Sequence, residues 1–329
     1  MTILSNPRLS NPLRPAILAA ARSSKLKAAL TKAPVTRRIV TRFIAGETRP
    51  EVLKVVAALL ESGRVISIDF LGEDTTDRAQ AEATVGEYLA LLDDLAGLRL
   101  PASMNPNNEI APLEVSMKLS ALGQALPVDG DKIATQNART VCEHAQRLGI
   151  WVTIDAEDHT TTDSTLRIVR ELRTEFPWLG AVLQSYLRRT EADCRELAGP
   201  GSRIRLCKGA YREPESVAYQ SRSEVDASYR RCLEILMLGA GYPMVASHDP
   251  EIIAAAGDMT RRTDRGRDTF EQQMLFGIRD VEQLRLAAEG YTMRVYVPYG
   301  AQWYGYFMRR LAERPSNLRF FLRSIATVR

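Results

Sequence analysis

The residues near the carboxyl end of the chain carry the clearest chemical signal. Arg309 and Arg310 are adjacent and follow Tyr306 by one helical turn, while Tyr296 ends the β-type run before them. Two guanidinium groups can hold a small carboxylate with parallel hydrogen bonds, and tyrosine rings can enclose an apolar body. The alternative is that both arginines lie on a solvated helix surface and pair with Glu313.

Polar residues also recur wherever a β-type run ends. Eight short β-branched runs begin at residues 65, 114, 151, 181, 203, 243, 269 and 292, and helical periodicity follows most of them. Their ends carry Asp69, Glu73, Lys118, Asp155, Glu157, Gln184, Arg205, Lys208, Tyr211, His248, Gln273 and Tyr296. Buried charges are costly unless they pair with one another or with a ligand, so the pattern predicts a bound, polar, polyanionic cofactor.

This alternation predicts a (β/α)8 barrel, because eight strand–helix units in about 265 residues match that fold. Asp131 and Ser223 are expected as helix N-caps, and Gly149 and Gly239 as helix ends. A doubly wound open sheet is the alternative, but no GxGxxG or phosphate-loop lysine motif occurs. We expect an α/β fold with a basic helical arm over residues 1–46 and a distorted (β/α)8 barrel over residues 47–329.

The composition excludes several classes of protein. Four scattered cysteines form no CxxC pair and three histidines show no ligand spacing, so we expect neither a disulfide framework nor a metal site. No run of 18 apolar residues occurs, and we expect a cytoplasmic protein.

Positive charge is concentrated at the amino terminus. Nine basic residues and no acidic residue precede Glu47. This arm could pack on the barrel or lie against an anionic bilayer at the inner face of the cell membrane. Its aromatic content is limited to Phe43, so we expect no nucleic-acid partner.

Six segments together resemble the proline dehydrogenase family of flavoenzymes. They are EVSMKLSALG (114–123), TIDAEDH (153–159), IRLCKGAY (204–211), ASHDP (246–250), FEQQMLFG (270–277) and the block RVYVPYG…WYGYFMRRLAERP (294–315). They occur in the family's order across roughly residues 40–320. The resemblance implies a distorted (β/α)8 barrel that oxidises L-proline to Δ1-pyrroline-5-carboxylate with FAD, the first step of proline catabolism.

The resemblance also implies roles for individual residues. Arg309 and Arg310 would hold the proline carboxylate with help from Lys118, and Glu73 would pair with Arg309 to close the pocket. The proline ring would meet Leu275, Tyr296, Tyr306 and Tyr211, and Tyr296 would favour unsubstituted proline by crowding C4. Asp155 would be a hydrogen-bonding group with no established role as a base, and Arg205 would stabilise the reduced flavin. FAD would contact Ala156, Gln184, Arg205, Lys208, Gly209, Ala210, Ser247 and His248.

The family typically passes its electrons to a membrane quinone, and the product could go to a downstream pyrroline-5-carboxylate dehydrogenase. Two other function classes remain open at this point. Lys118 and Lys208 end strands where aldolase-type barrels place Schiff-base lysines. The basic arm could instead make the chain a tethered binding module, although a tether requires no polar mouth.

Overall fold

Eight parallel strands close into a barrel in the computed structural model of this chain. The structure describes residues 41–73, 75–102, 104, 110–263 and 265–313, with side chains in the last helix described through residue 308. The chain divides into two compact units, Ile44–Ala301 and the pair Met1–Phe43 with Gln302–Arg329. The strands lie in the first unit. They are β1 (Val65–Phe70), β2 (Leu113–Met117), β3 (Trp151–Ile154), β4 (Gly180–Gln184), β5 (Arg203–Cys207), β6 (Tyr242–Ala246), β7 (Glu271–Leu275) and β8 (Thr292–Tyr299).

Each strand pairs with its neighbours in chain order, and β8 pairs with β1 to complete the barrel. This closure excludes the open sheet. The ladders are uneven, because β1 and β8 share six residue pairs whereas β3 and β4 share two. Gly180 sits at that short ladder, and a Cβ there would lie 2.3 Å from Thr153 Oγ1. The uneven pairing agrees with the predicted distorted barrel.

Helices cover the outside of the strands. In the barrel unit they are α1 (Arg49–Glu61), α2 (Arg78–Ala96), α3 (Gly130–Leu148), α4 (Thr162–Arg173), α5 (Thr190–Leu197), α6 (Arg222–Leu238), α7 (Pro250–Thr263) and α8 (Asp280–Ala288). A π-helical turn, Ser120–Gln124, follows β2, and a 3-10 turn, His159–Thr161, follows β3. The outward-facing strand residues and the inner helix faces form one apolar core that includes Val56, Ile68, Leu92, Val115 and Val141.

The helix ends correct two sequence predictions. Asp129 and Ser221 are the N-caps of α3 and α6, so Asp131 and Ser223 lie inside the first turns instead. Ser221 forms a capping box with Glu224, a pairing that explains why α6 begins earlier than predicted. Gly149 and Gly239 are confirmed as the ends of these two helices, and Gly149 takes the left-handed conformation that glycine favours.

The second unit is described through Thr41–Phe43 and through residues 302–313, which include α9 (Tyr304–Glu313). The Trp303 and Phe307 rings in this unit pack edge to face with centroids 5.9 Å apart. Phe43 lies 6.3 Å from Phe307 by ring centroid. Most of the basic arm, residues 1–40, lies outside the described residues, and the proposed boundary at residue 46 stays a prediction.

Candidate active site

The carboxyl ends of the barrel strands gather the predicted polar residues at one mouth. Residues near these ends are half-buried or buried, and they come from every strand: Glu73, Lys118, Asp155, Ala156, Gln184, Arg205, Lys208, Gly209, Ala210, Tyr211, Ser247, His248, Leu275 and Tyr296. Arg205 and Tyr296 lie within β5 and β8 and not at their ends as predicted. In a closed parallel barrel all such ends face the same side. The fold therefore places these residues where a ligand could reach them.

Asp155 is the centre of the site. Its Oδ1 accepts hydrogen bonds from Ser116 Oγ at 3.0 Å and from Arg205 Nη1 at 2.7 Å. Its Oδ2 accepts from the Tyr296 hydroxyl at 2.7 Å, and Lys118 Nζ lies 3.7 Å away. Both carboxylate oxygens are thus engaged by protein donors. This arrangement orients the neighbouring cations and the phenol, and it gives no geometric reason to treat Asp155 as a general base.

The Arg205 guanidinium is held on all of its donor positions. Besides Asp155 and Ser116, it donates to Gln273 Oε1 at 2.6 Å, to Glu114 Oε1 at 2.7 Å and to Ser67 Oγ at 3.1 Å. Burial alone would lower the pKa of Arg205, but the carboxylates of Asp155 and Glu114 outweigh burial and raise the pKa. Arg205 is a fixed cation beneath the mouth, and its donors point to protein groups.

Lys118 lies between two carboxylates. Its Nζ is 2.6 Å from Asp69 Oδ2 and 3.7 Å from Asp155 Oδ2. Burial alone would lower the pKa of Lys118, yet Asp69, Asp155 and Glu73 raise it above its usual value. A Schiff-base lysine must present a neutral amine, so the raised pKa argues against that role. Lys208 is also ion-paired, with Asp226 and with Asp249 at 2.9 Å.

Asp69 is one of the polar strand-end residues named from the sequence, but it was assigned no individual role. Its carboxylate is fully buried, and burial raises the pKa of Asp69 to about 6 even though Lys118 opposes this change. Asp69 Oδ1 has no hydrogen-bond partner among the described residues. Burial and the nearby Asp155 and Asp69 also raise the pKa of Tyr296 well above its ordinary value. Tyr296 therefore remains a neutral phenol that donates to Asp155.

The residues predicted to contact the cofactor lie on or just after four consecutive strands, β3 to β6. Gln184 Nε2 donates to the Glu157 carbonyl at 2.7 Å, and His248 Nε2 accepts from the Leu275 amide at 2.9 Å. Ser247 Oγ accepts from the Asp249 amide at 3.1 Å. An amide, a hydroxyl, an imidazole and the Lys208 ammonium are suitable partners for the carbonyls, ring nitrogens and phosphates of a flavin nucleotide. The donor set therefore fits the predicted cofactor class.

Gly209 has a reason to be glycine within the protein itself. Its φ is 108°, and an added Cβ would lie 2.3 Å from the Tyr186 ring. We expected Gly209 and Ala210 to allow a close approach of the cofactor. The structure instead gives the Tyr186 ring as the neighbour that excludes a side chain at Gly209.

Three predicted substrate residues lie in α9. Tyr306 is buried and belongs to the second unit. The side chains of Arg309 and Arg310 lie outside the described residues. Glu73 follows β1 and is half-buried at the mouth. The proposed pair of Glu73 with Arg309 therefore stays a prediction.

A second layer of charge, which was not predicted from the sequence, lies deeper in the barrel. Glu114 bonds Arg203 as well as Arg205, and Arg294 donates to Glu271 at 2.7 and 3.0 Å. The Arg203 guanidinium carbon lies 3.7 Å from the Trp151 ring centroid, a cation–π contact. The sequence does contain a signal for this layer. Four strands carry polar residues two positions apart, which therefore point to the same face: Glu114/Ser116, Arg203/Arg205, Glu271/Gln273 and Arg294/Tyr296.

Two negative findings apply to the described part of the chain. No group of three or more histidine, cysteine, aspartate or glutamate side chains there is arranged to hold a metal ion. None of the helices described is both long and apolar enough to span a bilayer.

Comparison with known proteins identifies consistent relatives. A family model described as proline dehydrogenase matches residues 52–323. The chain is 37% identical over 284 residues to proline dehydrogenase 1 of Bacillus subtilis strain 168, covering 86% of this chain and 89% of that protein. It is 38% identical over 289 residues to proline dehydrogenase of Deinococcus radiodurans, covering 87% and 90% respectively.

Solved structures show the same fold. A crystal structure of proline utilization A from Bdellovibrio bacteriovorus, inactivated by N-propargylglycine, has a TM-score of 0.78 at 26% identity. The match covers 93% of this chain but spans only 36% of that longer protein. A proline utilization A structure from Bradyrhizobium japonicum has a TM-score of 0.70 at 20% identity, a likeness of fold alone.

Proposed function

The chain belongs to the proline dehydrogenase family, and we propose on this basis that it oxidises L-proline to Δ1-pyrroline-5-carboxylate, the first step of proline catabolism. The observation that carries the proposal is the match of named family members along most of the chain, combined with the ionic cluster around Asp155 at the barrel mouth. The reaction is an oxidation at a carbon–nitrogen bond. The raised pKa of Lys118 and the pairing of Lys208 do not favour the lysine-based alternative.

We propose FAD as the cofactor, held by Ala156, Gln184, Arg205, Lys208, Gly209, Ala210, Ser247 and His248. When bound, the flavin supplies a hydride acceptor for the substrate carbon next to nitrogen. The fixed charge of Arg205 favours an electron-rich ligand above it, and its complete set of protein partners keeps the guanidinium from reorienting.

The substrate side of the mouth is proposed to consist of Lys118, Tyr211, Leu275, Tyr296 and Glu73 together with residues of α9. Arg309 and Arg310 would bind the carboxylate of proline, and the Tyr306 and Tyr296 rings would flank its ring. Lys118 and Tyr296 are held in place by Asp69 and Asp155, so they would meet the substrate without reorganising. No nucleophile is required, because removal of hydride from the carbon next to a neutral amine nitrogen yields the cyclic iminium, which becomes the cyclic imine when its N–H proton is released.

Product analysis tests this proposal. Purified protein is incubated with L-proline and an artificial electron acceptor, and the product is identified by mass spectrometry. We expect a product with two hydrogens fewer than proline, formed in proportion to acceptor reduced. A protein that carries flavin but yields no such product would contradict the proposed reaction.

The electron acceptor is proposed to be a membrane quinone, with the basic arm bringing the protein to an anionic bilayer. Nine basic residues and no acidic residue precede Glu47, which supports attraction to such a surface. Co-sedimentation with anionic vesicles should fall sharply when residues 1–45 are deleted and when salt is raised. Undiminished co-sedimentation of the deleted protein would exclude the arm as the contact. Transfer of the product to a pyrroline-5-carboxylate dehydrogenase is a further part of the proposal.

A further inference from the structure

A buried carboxylate outside the cluster around Asp155 joins two of the segments that form the mouth. Glu213 lies in the segment between β5 and α6, and its side chain is 3% exposed. Glu213 Oε1 accepts from the His159 amide at 3.0 Å and from the Tyr186 hydroxyl at 3.1 Å. Glu213 Oε2 is hydrogen-bonded to His159 Nδ1. We call these three residues, His159, Tyr186 and Glu213, the Glu213 latch.

The latch connects the residues on either side of the mouth. His159 follows Asp155 by four residues, so its position sets the path of the chain leaving β3. Glu213 follows Tyr211 by two residues, in the segment that also contains Lys208, Gly209 and Ala210. Tyr186 lies two residues after β4 and donates to the same carboxylate. The segment with Tyr211 is thereby fixed relative to the segment with Asp155.

Tyr186 secures the same segment through its backbone and its ring. Its amide donates to the Lys208 carbonyl at 2.9 Å, and its carbonyl accepts from the Tyr219 amide at 2.8 Å. The ring occupies the space where a Cβ on Gly209 would lie. A short antiparallel bridge between Leu187 and Ala218 continues this attachment. The segment after β5 is thus attached to the segment after β4 both by these backbone hydrogen bonds and by the side chains of the Glu213 latch.

We infer that Glu213 is a positioning residue, which acts through His159 and Tyr186 to hold the segment Lys208–Tyr211 in the conformation that binds substrate. The inference rests on the proposed function and extends it to a group that does not touch the substrate. Its physical basis is that a buried carboxylate with three donors fixes all the elements that supply them. Loss of one donor or of the charge would let the segment open locally while the barrel stays folded.

The test uses the flavin-loaded protein with two variants and one control. Glu213→Gln removes the charge, and Tyr186→Phe removes a single hydrogen bond but keeps the ring against Gly209. Glu215→Gln alters an exposed side chain two residues from Glu213 and serves as the control. The dissociation constant for proline is taken from the concentration dependence of anaerobic flavin reduction. Hydrogen–deuterium exchange is measured over residues 208–216 and over the barrel strands.

For Glu213→Gln we expect an increase of about tenfold in the dissociation constant for proline, with faster exchange over residues 208–216 and unchanged exchange in the strands. Tyr186→Phe should shift both quantities in the same direction by less, and Glu215→Gln should match the wild type. Unchanged exchange and affinity in Glu213→Gln would overturn the inference, as would faster exchange throughout the barrel. If Glu213→Gln does not fold, Tyr186→Phe decides by the same criteria.

The two levels of the proposal can fail separately. If proline does not reduce the flavin bound to the wild-type protein, the proposed function is overturned. Exchange over residues 208–216 would still show whether Glu213 holds the segment.

Discussion

At the scale of single residues, the site is a set of charges that protein groups hold in place. Asp155 contacts Arg205, Ser116 and Tyr296 directly, and Lys118 bridges Asp69 and Asp155. Such mutual support orients groups before a ligand arrives, so binding requires little rearrangement. The function of each residue then depends on the partner that orients it.

Tyr296→Phe isolates one of these hydrogen bonds. The substitution keeps the ring and removes the donor to Asp155, so we expect a loss of about 1–3 kcal/mol in the free energy of unfolding. We also expect proline to reduce the bound flavin more slowly. Tyr229→Phe is the control, because the Tyr229 hydroxyl donates to the Leu206 carbonyl at 2.8 Å behind β5. Tyr229→Phe should lower the free energy of unfolding by a similar amount without changing the rate at which proline reduces the flavin. Equal effects of the two variants on proline would place Tyr296 outside the site.

Arg309→Met tests the proposed carboxylate contact. Loss of one arginine from a clamped carboxylate should weaken binding by about 2–5 kcal/mol, so the KM for proline should rise by orders of magnitude while flavin content stays normal. Steady-state kinetics provide the measurement, with the exposed Arg230→Met as the control. An unchanged KM would remove Arg309 from the site.

At the scale of elements, the sequence predicts the strands well and the loops poorly. The first strand begins at Val65 as predicted, and the other strands begin within about two residues of the predicted positions, because a buried parallel strand is a short β-branched run between turns. The π-helical turn Ser120–Gln124 and the latch at Glu213 were not predicted. Both depend on contacts between distant segments, such as the bonds from Ser120 to Glu157, which no local pattern encodes.

Gly209→Ala tests the element that carries Tyr211. The alanine would have to adopt a positive φ, and its Cβ would collide with the Tyr186 ring. We therefore expect a loss of about 2–4 kcal/mol in unfolding free energy and lower flavin content. Gly86→Ala is the matched control, since Gly86 lies in α2 with open space around it. It should gain about 0.5–1 kcal/mol. Chemical denaturation measures both variants, and a neutral Gly209→Ala would contradict the packing argument.

Glu157 links the π-helical turn to the segment after β3, and burial raises its pKa from 4.5 to about 7. Since the folded state binds the proton more tightly, this group stabilises the fold at low pH and loses that contribution as pH rises through about 7. The unfolding free energy of the wild type relative to Glu157→Gln should therefore fall by about 3 kcal/mol between pH 4.5 and pH 7.

Denaturation curves across this pH range provide the measurement. A flat difference between wild type and Glu157→Gln would mean that Glu157 titrates at its ordinary value.

At the scale of the whole molecule, one ionic network fills much of the barrel interior. It runs from Lys118 through Asp155 and Arg205 to Glu114, and Gln273 joins Arg205 to the Glu271–Arg294 pair. Its buried members are four cations and four carboxylates: Lys118, Arg203, Arg205, Arg294, Asp69, Glu114, Asp155 and Glu271. Buried ion pairs contribute little net stability but are costly to break, so the network fixes geometry more than it strengthens the fold.

The sequence could indicate the barrel and the identity of the mouth residues, but not this network. Periodicity identifies which residues face inward, whereas the pairing of charges depends on strand register and barrel closure. Glu114 and Arg205 are 91 residues apart in sequence and meet because β2 and β5 belong to the same closed barrel. The resemblance to the family indicated Asp155 and Arg205, and the structure shows how they are held.

Anaerobic absorption spectroscopy tests the central claim most directly. The purified protein should show a flavin spectrum, and L-proline without oxygen should bleach its visible band to completion. D-proline, which presents the ring with its carboxylate reversed, should bleach it far more slowly. A folded protein that binds no flavin when supplied in excess, or a bound flavin that L-proline leaves oxidised, would contradict the account.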